Sequence, residues 1–432
     1  MADTSIDARQ ARAHDPNLFV HLADLHLAPR STAIAKRDQA TGRLLRDLDM
    51  DAALRNAVDD VLDQDPLPSA VAIAGDVFDT WRGSIDALMC VLSQIRRLRE
   101  AGIEILGIAG NHDTPTRRSN TCMYQLLADA LSTDDGITLA YDTVVRKVVG
   151  NIEYVLLPHQ PCMDGSFERE DIEPSGDAGK FVLVVHGVAA GDPSLQQMDE
   201  AREVPIASWI MDMPWDYVAF GHYHKPGWVP HYEGKASYCG SLENTVISGP
   251  DLCMERGPVY VDLAAPPEGR RVMHPLPIRP VVSLPDVEIP GGREVTPSEV
   301  DAMVEKAISD GDTEGAIVRL KVTGIARSTY QSLPRRAFQD ADPSALAIRI
   351  DWEFSAPPAT EAVTVIDEET GQEVVVEVVP EGDDAADAVG ANGLLPLEKE
   401  AELSLARLVA AGEVAPSRSD DVMKVLRDLL AE

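Results

Sequence analysis

The sequence predicts an α/β chain: a layered domain with parallel strands, then a smaller α+β module, then a pair of C-terminal helices. Three observations carry this expectation. Between Leu18 and about Ala264, short apolar runs alternate with helical stretches, the pattern of βαβ units. Five of the runs, LFVHLA, VAIA, EILGIA, FVLVV and YVAF, stop within two residues of an Asp, Asn or His. After YVDLAAPPEGRR the pattern breaks at Pro266, Pro267 and Gly269 and resumes with a different rhythm.

In order along the chain, residues 1–17 read as a loose polar arm. LFVHLA is a buried strand that runs into DLH, Asp24 to His26. The stretch Ala52 to Leu62 is helical. The alternating Val, Ala and Ile of VAIA mark a second buried strand, ended by Gly75 with Asp76 directly behind it. Ile85 to Leu98 is the next helix, and EILGIA is a strand delivering GNHD, Gly110 to Asp113. FVLVV delivers His186, and YVAF delivers GHYH, Gly221 to His224. The layered domain therefore covers residues 18–265. Side chains at the carboxyl ends of such strands are where α/β folds build their sites.

The module at 266–355 contains an extended edge, PVVSLPDVEIP, and a helix from Pro297 to Ser309 with Thr296 as its cap. The strand GAIVRLKVTGIA follows, then a helical piece bearing Arg335 and Arg336, then the strand ALAIRIDWEF. Residues 356–392 read as an acidic linker in which VTVI and VVVEVV can pair as a hairpin across EETGQ. Residues 393–432 hold two helices, the first ending at Gly412. The second is capped by Ser419, with Val422, Val425, Leu426, Leu429 and Leu430 on one face. That apolar face packs either on its own domain or on a partner.

Composition narrows the class. The hydrophobic and charged fractions, 44% and 25%, are those of a globular protein. Five scattered cysteines form no CxxC pair, which argues against a disulfide framework and a zinc knuckle. The polar N-terminus lacks the apolar core of a signal peptide, and no run of 18 apolar residues exists to span a membrane, so a cytoplasmic protein with no membrane association is expected. The net charge of −34 opposes sequence-independent nucleic-acid binding, which needs a cationic footprint. Part of the excess is local, however. From Asp351 to Glu398 there are thirteen acidic residues and no Lys or Arg. Bound divalent ions also reverse the field where chemistry occurs.

Each motif alone has a bland reading. A D-x-H or a GD-x-x-D (Asp76 to Asp79) is ordinary turn chemistry, and a histidine after a strand is usually a satisfied core residue. The argument lies in their company. Five of the ten histidines fall in these motifs, and hard oxygen and imidazole donors arrive together at five strand ends, the layout of a two-metal centre.

At this point the chain resembles the calcineurin-like metallophosphoesterases, which share the ordered set D-x-H, GD-x-x-D, GNHD, a lone His after a strand, and GH-x-H. Within them HLADLHL, AGDVFDT, AGNHD and YCGSLE resemble the SbcD-type nucleases, catalytic subunits that work with an SMC-like ATPase in double-strand-break repair. The resemblance spans Leu18 to about Glu243. It implies a β-sandwich flanked by helices, with 266–355 as a DNA-binding cap and the C-terminal helices as an ATPase-binding segment. It further implies that Asp24, His26 and His224 hold one metal and Asn111, His186 and His222 the other, with Asp76 bridging. The ions would be Mn²⁺, with Fe²⁺ or Zn²⁺ as alternatives on ligand hardness. His112 would face the scissile phosphate, and Asp79 would orient His112. Arg117, Arg118, Arg335 and Arg336 are candidate phosphate contacts, with a solvated face as their other reading. Expected partners are DNA, an SMC-like ATPase of the SbcC type and a second copy of the chain. Ala28 and Pro29 replace the Gly commonly found after the D-x-H leucine.

Three function classes follow: a DNA exonuclease or endonuclease, a small-substrate phosphodiesterase or pyrophosphatase on the same centre, and an inactive scaffold for an ATPase. Serine/threonine phosphatases typically show GDxHG, GDxVDRG and GNHE, where this chain has ADLHL, GDVFDTW and GNHD. The complete ligand set opposes the scaffold, since unused buried carboxylates and imidazoles are costly.

Overall fold

The strand β1 (His14–Leu22) leads into a long helix, α1 (Leu45–Asp63), and then into β2 (Leu67–Ala74), every residue of which is buried. This is the signature of a strand covered on both faces. The chain continues through α2 (Ile85–Glu100), β3 (Glu104–Ile108), α3 (Met123–Leu131) and β4 (Ile137–Ala140). The computed structural model describes residues 12–29, 36–115, 121–190, 203–245, 254–290, 295–333, 342, 344–355, 361–366 and 373–378. Arg117, Arg118, Arg335, Arg336 and the helices expected over 393–432 lie outside the described residues.

The chain then builds β5 (Val145–Val149), β6 (Ile152–Leu157), α4 (His159–Asp164), α5 (Arg169–Ile172), β7 (Lys180–His186) and the short pair β8 (Val188–Ala189) and β9 (Pro205–Ile206). α6 (Ser208–Met211), β10 (Tyr217–Gly221), β11 (Gly227–Trp228) and β12 (Ala236–Tyr238) follow, before β13 (Val259–Asp262) and β14 (Arg271–Met273) return to the first sheet. Two six-stranded sheets result, ordered β14-β13-β1-β2-β3-β4 and β11-β12-β10-β7-β6-β5. Parallel pairing joins β1 to β4 and β6, β7, β10 and β12, as expected from the βαβ pattern. The edges are antiparallel: β13 on β1, β14 on β13, β5 on β6 and β11 on β12.

Period-two alternation sorts the strand residues between two cores. Val71 and Ile73 of β2 pack with Leu54, Val58, Val91 and Ile95 of α1 and α2. Ala70, Ala72 and Ala74 face the other way, toward Leu156, Val184 and Ala219 of the second sheet. Alanines let the sheets approach closely, while Phe19 sets its ring edge-on to Tyr154 and Tyr217 at 5.6 and 5.7 Å. A third core lies beneath the second sheet, where Leu183, Val185 and Phe220 meet Ile210, Met211 and Trp215. The layered expectation is met as a helix-flanked β-sandwich.

Helix α2 starts at Ile85 because Ser84 Oγ accepts the Ala87 N–H at 3.1 Å. Helix α1 starts at Leu45, earlier than the Ala52 read from the sequence, since its first turns are too rich in Arg and Asp to announce an apolar stripe. Beyond the sandwich, β15 (Val281–Ser283), β16 (Val287–Glu288), β17 (Ile317–Ile325) and β18 (Ala347–Phe354) form a four-stranded sheet. Thr296 begins α7 (Pro297–Ser309) with a capping box: its N–H donates to Glu299 Oε2 at 2.9 Å and its Oγ1 accepts the Glu299 N–H at 3.3 Å. A short helix, α8 (Arg327–Gln331), follows β17. Within the segment read as acidic linker, β19 (Glu361–Ile366) and β20 (Glu373–Val378) pair antiparallel as the anticipated hairpin.

The described residues divide into two units, lying within Met1–Val287, Ala302–Val322 and Arg335–Asp351 for the first and Glu288–Asp301, Thr323–Pro334 and Trp352–Glu432 for the second. No described helix is long and apolar enough to cross a membrane.

Candidate metal centre

The loops after β1 and β2 run side by side and hold each other in place. Asp24 N–H donates to Gly75 O at 3.1 Å, His26 N–H to Asp76 O at 3.0 Å and Leu27 N–H to Val77 O at 3.1 Å. Asp24, His26 and Asp76 all sit at left-handed φ, 52°, 43° and 51°. Side-chain-bearing residues adopt that region at a cost of about 1–3 kcal/mol each, a strain that concentrates at functional sites. The β3 loop closes in from the third side. A Cβ on Gly110 would lie 2.1 Å from Asp76 Oδ1, so GNHD needs its glycine for this approach.

Asp76 is the meeting point. Its Oδ2 lies 3.3 Å from His186 Nε2 and 3.6 Å from His26 Nε2, and its Oδ1 accepts the His112 N–H at 2.9 Å. On one side, His224 Nε2 faces His26 Nε2 at 3.0 Å, and Asp24, His26 and His224 offer ligand atoms within 4.8 Å of one another. On the other, Asn111 Oδ1 lies 2.8 Å from His186 Nε2 and 3.2 Å from His222 Nδ1, while Asp24, Asp76 and His186 form a second such group. The Asp24 carboxylate also accepts the His222 N–H at 3.0 and 3.2 Å. Asp24, His26, Asp76, Asn111, His186, His222 and His224 are thus brought together. Asp24, His26, Asp76, Asn111 and His186 are buried.

The charges are tightly interlocked. Burial pushes the Asp24 carboxyl up to about 6, aided by the negative Asp76, against the pull of His186 and His26. Burial also works on Asp76, but His186, His112 and His26 outweigh it and hold this carboxyl well below its usual range. His186 is lowered by burial yet raised further by Asp76 and Asp24, to about 9. His224 is pushed well below its ordinary value by burial and by His26. Two buried carboxylates that repel each other, beside ring nitrogens facing each other at 3.0 Å, are a donor set suited to divalent cations.

Asp79 has two roles in the structure. Its carboxylate lies 3.1 Å from His26 Nδ1, and its backbone carbonyl accepts His112 Nδ1–H at 2.7 Å. Asp79 thus holds His112 through its main-chain carbonyl, while its carboxylate, His26 and His112 form a further group of ligand atoms within 4.8 Å of one another.

Three residues escaped the reading of the motifs. Asp113, fully buried, accepts N–H groups from Val77 at 3.1 Å, Phe78 at 2.9 Å and Gly110 at 3.0 Å, tying the β2 loop to the β3 loop. The fourth letter of GNHD was the available signal. Thr245 Oγ1 lies 2.5 Å from His224 Nδ1, and Glu203 Oε1 lies 4.0 Å from His222 Nε2. Neither carries a sequence signature.

Residues 18–226 match the family model described as calcineurin-like phosphoesterase. The chain is 25% identical over 237 residues to the DNA double-strand break repair protein Mre11 of Methanococcus maripaludis, covering 53% of this chain and 58% of that protein. It is 26% identical over 309 residues to the Mre11 of Haloferax volcanii, covering 71% of this chain and 61% of that one. A shorter stretch of 103 residues is 36% identical to the uncharacterized metallophosphoesterase YhaO of Bacillus subtilis, 22% of each chain. The matches to Mre11 proteins thus span about half to three fifths of those relatives' length. Its site and its matched sequence together identify this chain as carrying, over residues 18–226, a domain of the calcineurin-like phosphoesterase family.

Proposed function

We propose that this chain is a two-metal-dependent DNA nuclease acting in double-strand-break repair. The observation that carries the proposal is the position of Asp76, whose Oδ2 lies between His186 at 3.3 Å and His26 at 3.6 Å, where one carboxylate can serve two ions. Asp24, His26 and His224 hold one ion, and Asn111, His186 and His222 the other. The ions are Mn²⁺, consistent with mixed carboxylate, amide and imidazole donors. Bound there, two such ions would supply an activated water and would hold a phosphodiester for in-line attack. His112 faces the scissile phosphate. The repair context rests on the Mre11 relatives, which are named for it.

The proposal extends to partners. A second copy of the chain docks on α2 and α3, where Ile85, Met89 and Leu126 are 67%, 55% and 45% exposed. An SMC-like ATPase of the SbcC type binds through residues 393–432, and DNA crosses the module at 266–355. The deciding experiment offers the purified chain, with Mn²⁺, linear duplex DNA, hairpin DNA and a small bis-phosphodiester. Mn²⁺-dependent cleavage of DNA that Asp76→Ala abolishes supports the proposal. Turnover of the small diester with no cleavage of either DNA overturns it in favour of a small-substrate phosphodiesterase.

A further inference from the structure

The loop after β12, GSLENT from Gly240 to Thr245, is built around His224. Ser241 N–H donates to the His224 carbonyl at 3.2 Å, and Arg256 Nη1 donates to the same carbonyl at 2.7 Å. The turn sits so close that a Cβ on Gly240, at φ +76°, would lie 2.8 Å from that oxygen. Buried Arg256 also donates to Ser241 Oγ at 2.7 Å and to Asn244 Oδ1 at 3.0 Å. Glu243 fixes the far side of the loop. Its carboxylate accepts the N–H groups of Asn244 and Arg279, each at 2.7 Å, and lies 3.3 Å from Arg46 of α1. All this rigidity ends at one hydroxyl, Thr245 Oγ1, 2.5 Å from His224 Nδ1.

We infer that Thr245 is the positioning residue of His224, accepting its Nδ1–H so that the Nε2 lone pair is presented to a metal ion. An imidazole ligates with one nitrogen only when the other carries the proton, and the group bonded to that proton fixes both tautomer and ring plane. His224 Nε2 faces His26 Nε2 at 3.0 Å, so a rotation of the ring would move it out of the Asp24, His26 and His224 group. The inference rests on the reading of His224 as a ligand.

The test measures Mn²⁺ binding to the full metal-free chain by calorimetry, with thermal melting as a control for folding. Thr245→Val removes the acceptor at nearly constant volume. It should weaken one of the two binding steps by about 10- to 100-fold, the usual effect of losing such a partner. Thr245→Ser, which keeps the hydroxyl, should restore wild-type affinity. Thr245→Val that binds both ions with wild-type affinity, alongside a His224→Ala that loses one, overturns the inference and leaves the ligand reading standing. A His224→Ala that binds both ions normally removes the ligand reading and this inference with it.

Discussion

His186 donates its Nδ1–H to the carbonyl of Ala74 at 2.8 Å, a bond that crosses from the second sheet to the first. A carbonyl can only accept, so the bond keeps a proton on Nδ1 and turns Nε2 toward Asn111 and Asp76. The sandwich itself thus sets the orientation of this side chain. β2 brings the carbonyl and β7 brings the ring.

A pH dependence of metal binding follows. Without metal, Asp76 and Asp24 overcome the effect of burial and raise His186 to about 9, so at neutral pH its Nε2 is protonated. Its folded value lies above the unfolded one. It therefore stabilises the metal-free fold fully below about 6.5, and that contribution is lost as pH rises through 9. A cation requires the opposite state, with Nε2 deprotonated. The rise in melting temperature on adding Mn²⁺ should be larger at pH 8.5 than at pH 6.5. Calorimetry at pH 7.5 in buffers of different ionisation enthalpy should report proton release. A shift that is equal at both pH values would contradict this account of His186.

Asp113→Asn should damage the centre without touching a proposed ligand. The carboxylate satisfies three backbone N–H groups, and an amide oxygen cannot replace both carboxylate oxygens. Leaving one buried N–H unsatisfied costs about 1–3 kcal/mol. The melting temperature should fall, and Mn²⁺ affinity should fall with it as the β2 and β3 loops separate. Unchanged melting with unchanged affinity would show that the staple is dispensable.

Much of this centre was legible because five strand ends each carry a short motif, and a strand end fixes where a side chain goes. The order of the strands was not legible. That Ala70, Ala72 and Ala74 face a second sheet depends on pairings between residues more than a hundred positions apart, such as Phe19 with Tyr217. Thr245 was hidden for the same reason: its role comes from a turn folding back onto His224, and nothing in LENT marks it. Asp79 was singled out to orient His112, but how it does so was not legible: the bond to His112 Nδ1 uses the carbonyl that every residue has.

Ile85 and Met89 are four residues apart on α2 and both largely exposed, so they lie on one face of the helix. If two copies meet there, Ile85→Glu with Met89→Glu should convert a dimer to a monomer in sedimentation velocity. The melting temperature of the monomer should be little changed, because neither side chain fills the core. A wild-type chain that sediments as a monomer at micromolar concentration would reject the interface.

His112 separates metal binding from chemistry. Its main-chain N–H donates to Asp76 Oδ1 at 2.9 Å, a bond that survives any side-chain change. Its ring donates Nδ1–H to Asp79 O at 2.7 Å and sets its edge to His26 with centroids 4.7 Å apart. Nε2 is then the nitrogen that can act on a phosphate, by protonating a leaving 3′ oxygen or stabilising charge on the transferring group. His112→Ala removes that nitrogen and leaves Asp24, Asp76, Asn111, His186, His222 and His224 in place. Turnover should fall by about 10²-fold or more while two Mn²⁺ remain bound. Asp76→Ala, by contrast, should lose both activity and metal, because it removes the carboxylate between His26 and His186. Metal content measured on the two purified variants, beside their rates, distinguishes the roles. If His112→Ala loses metal in proportion to its rate, His112 belongs among the ligands rather than opposite the phosphate.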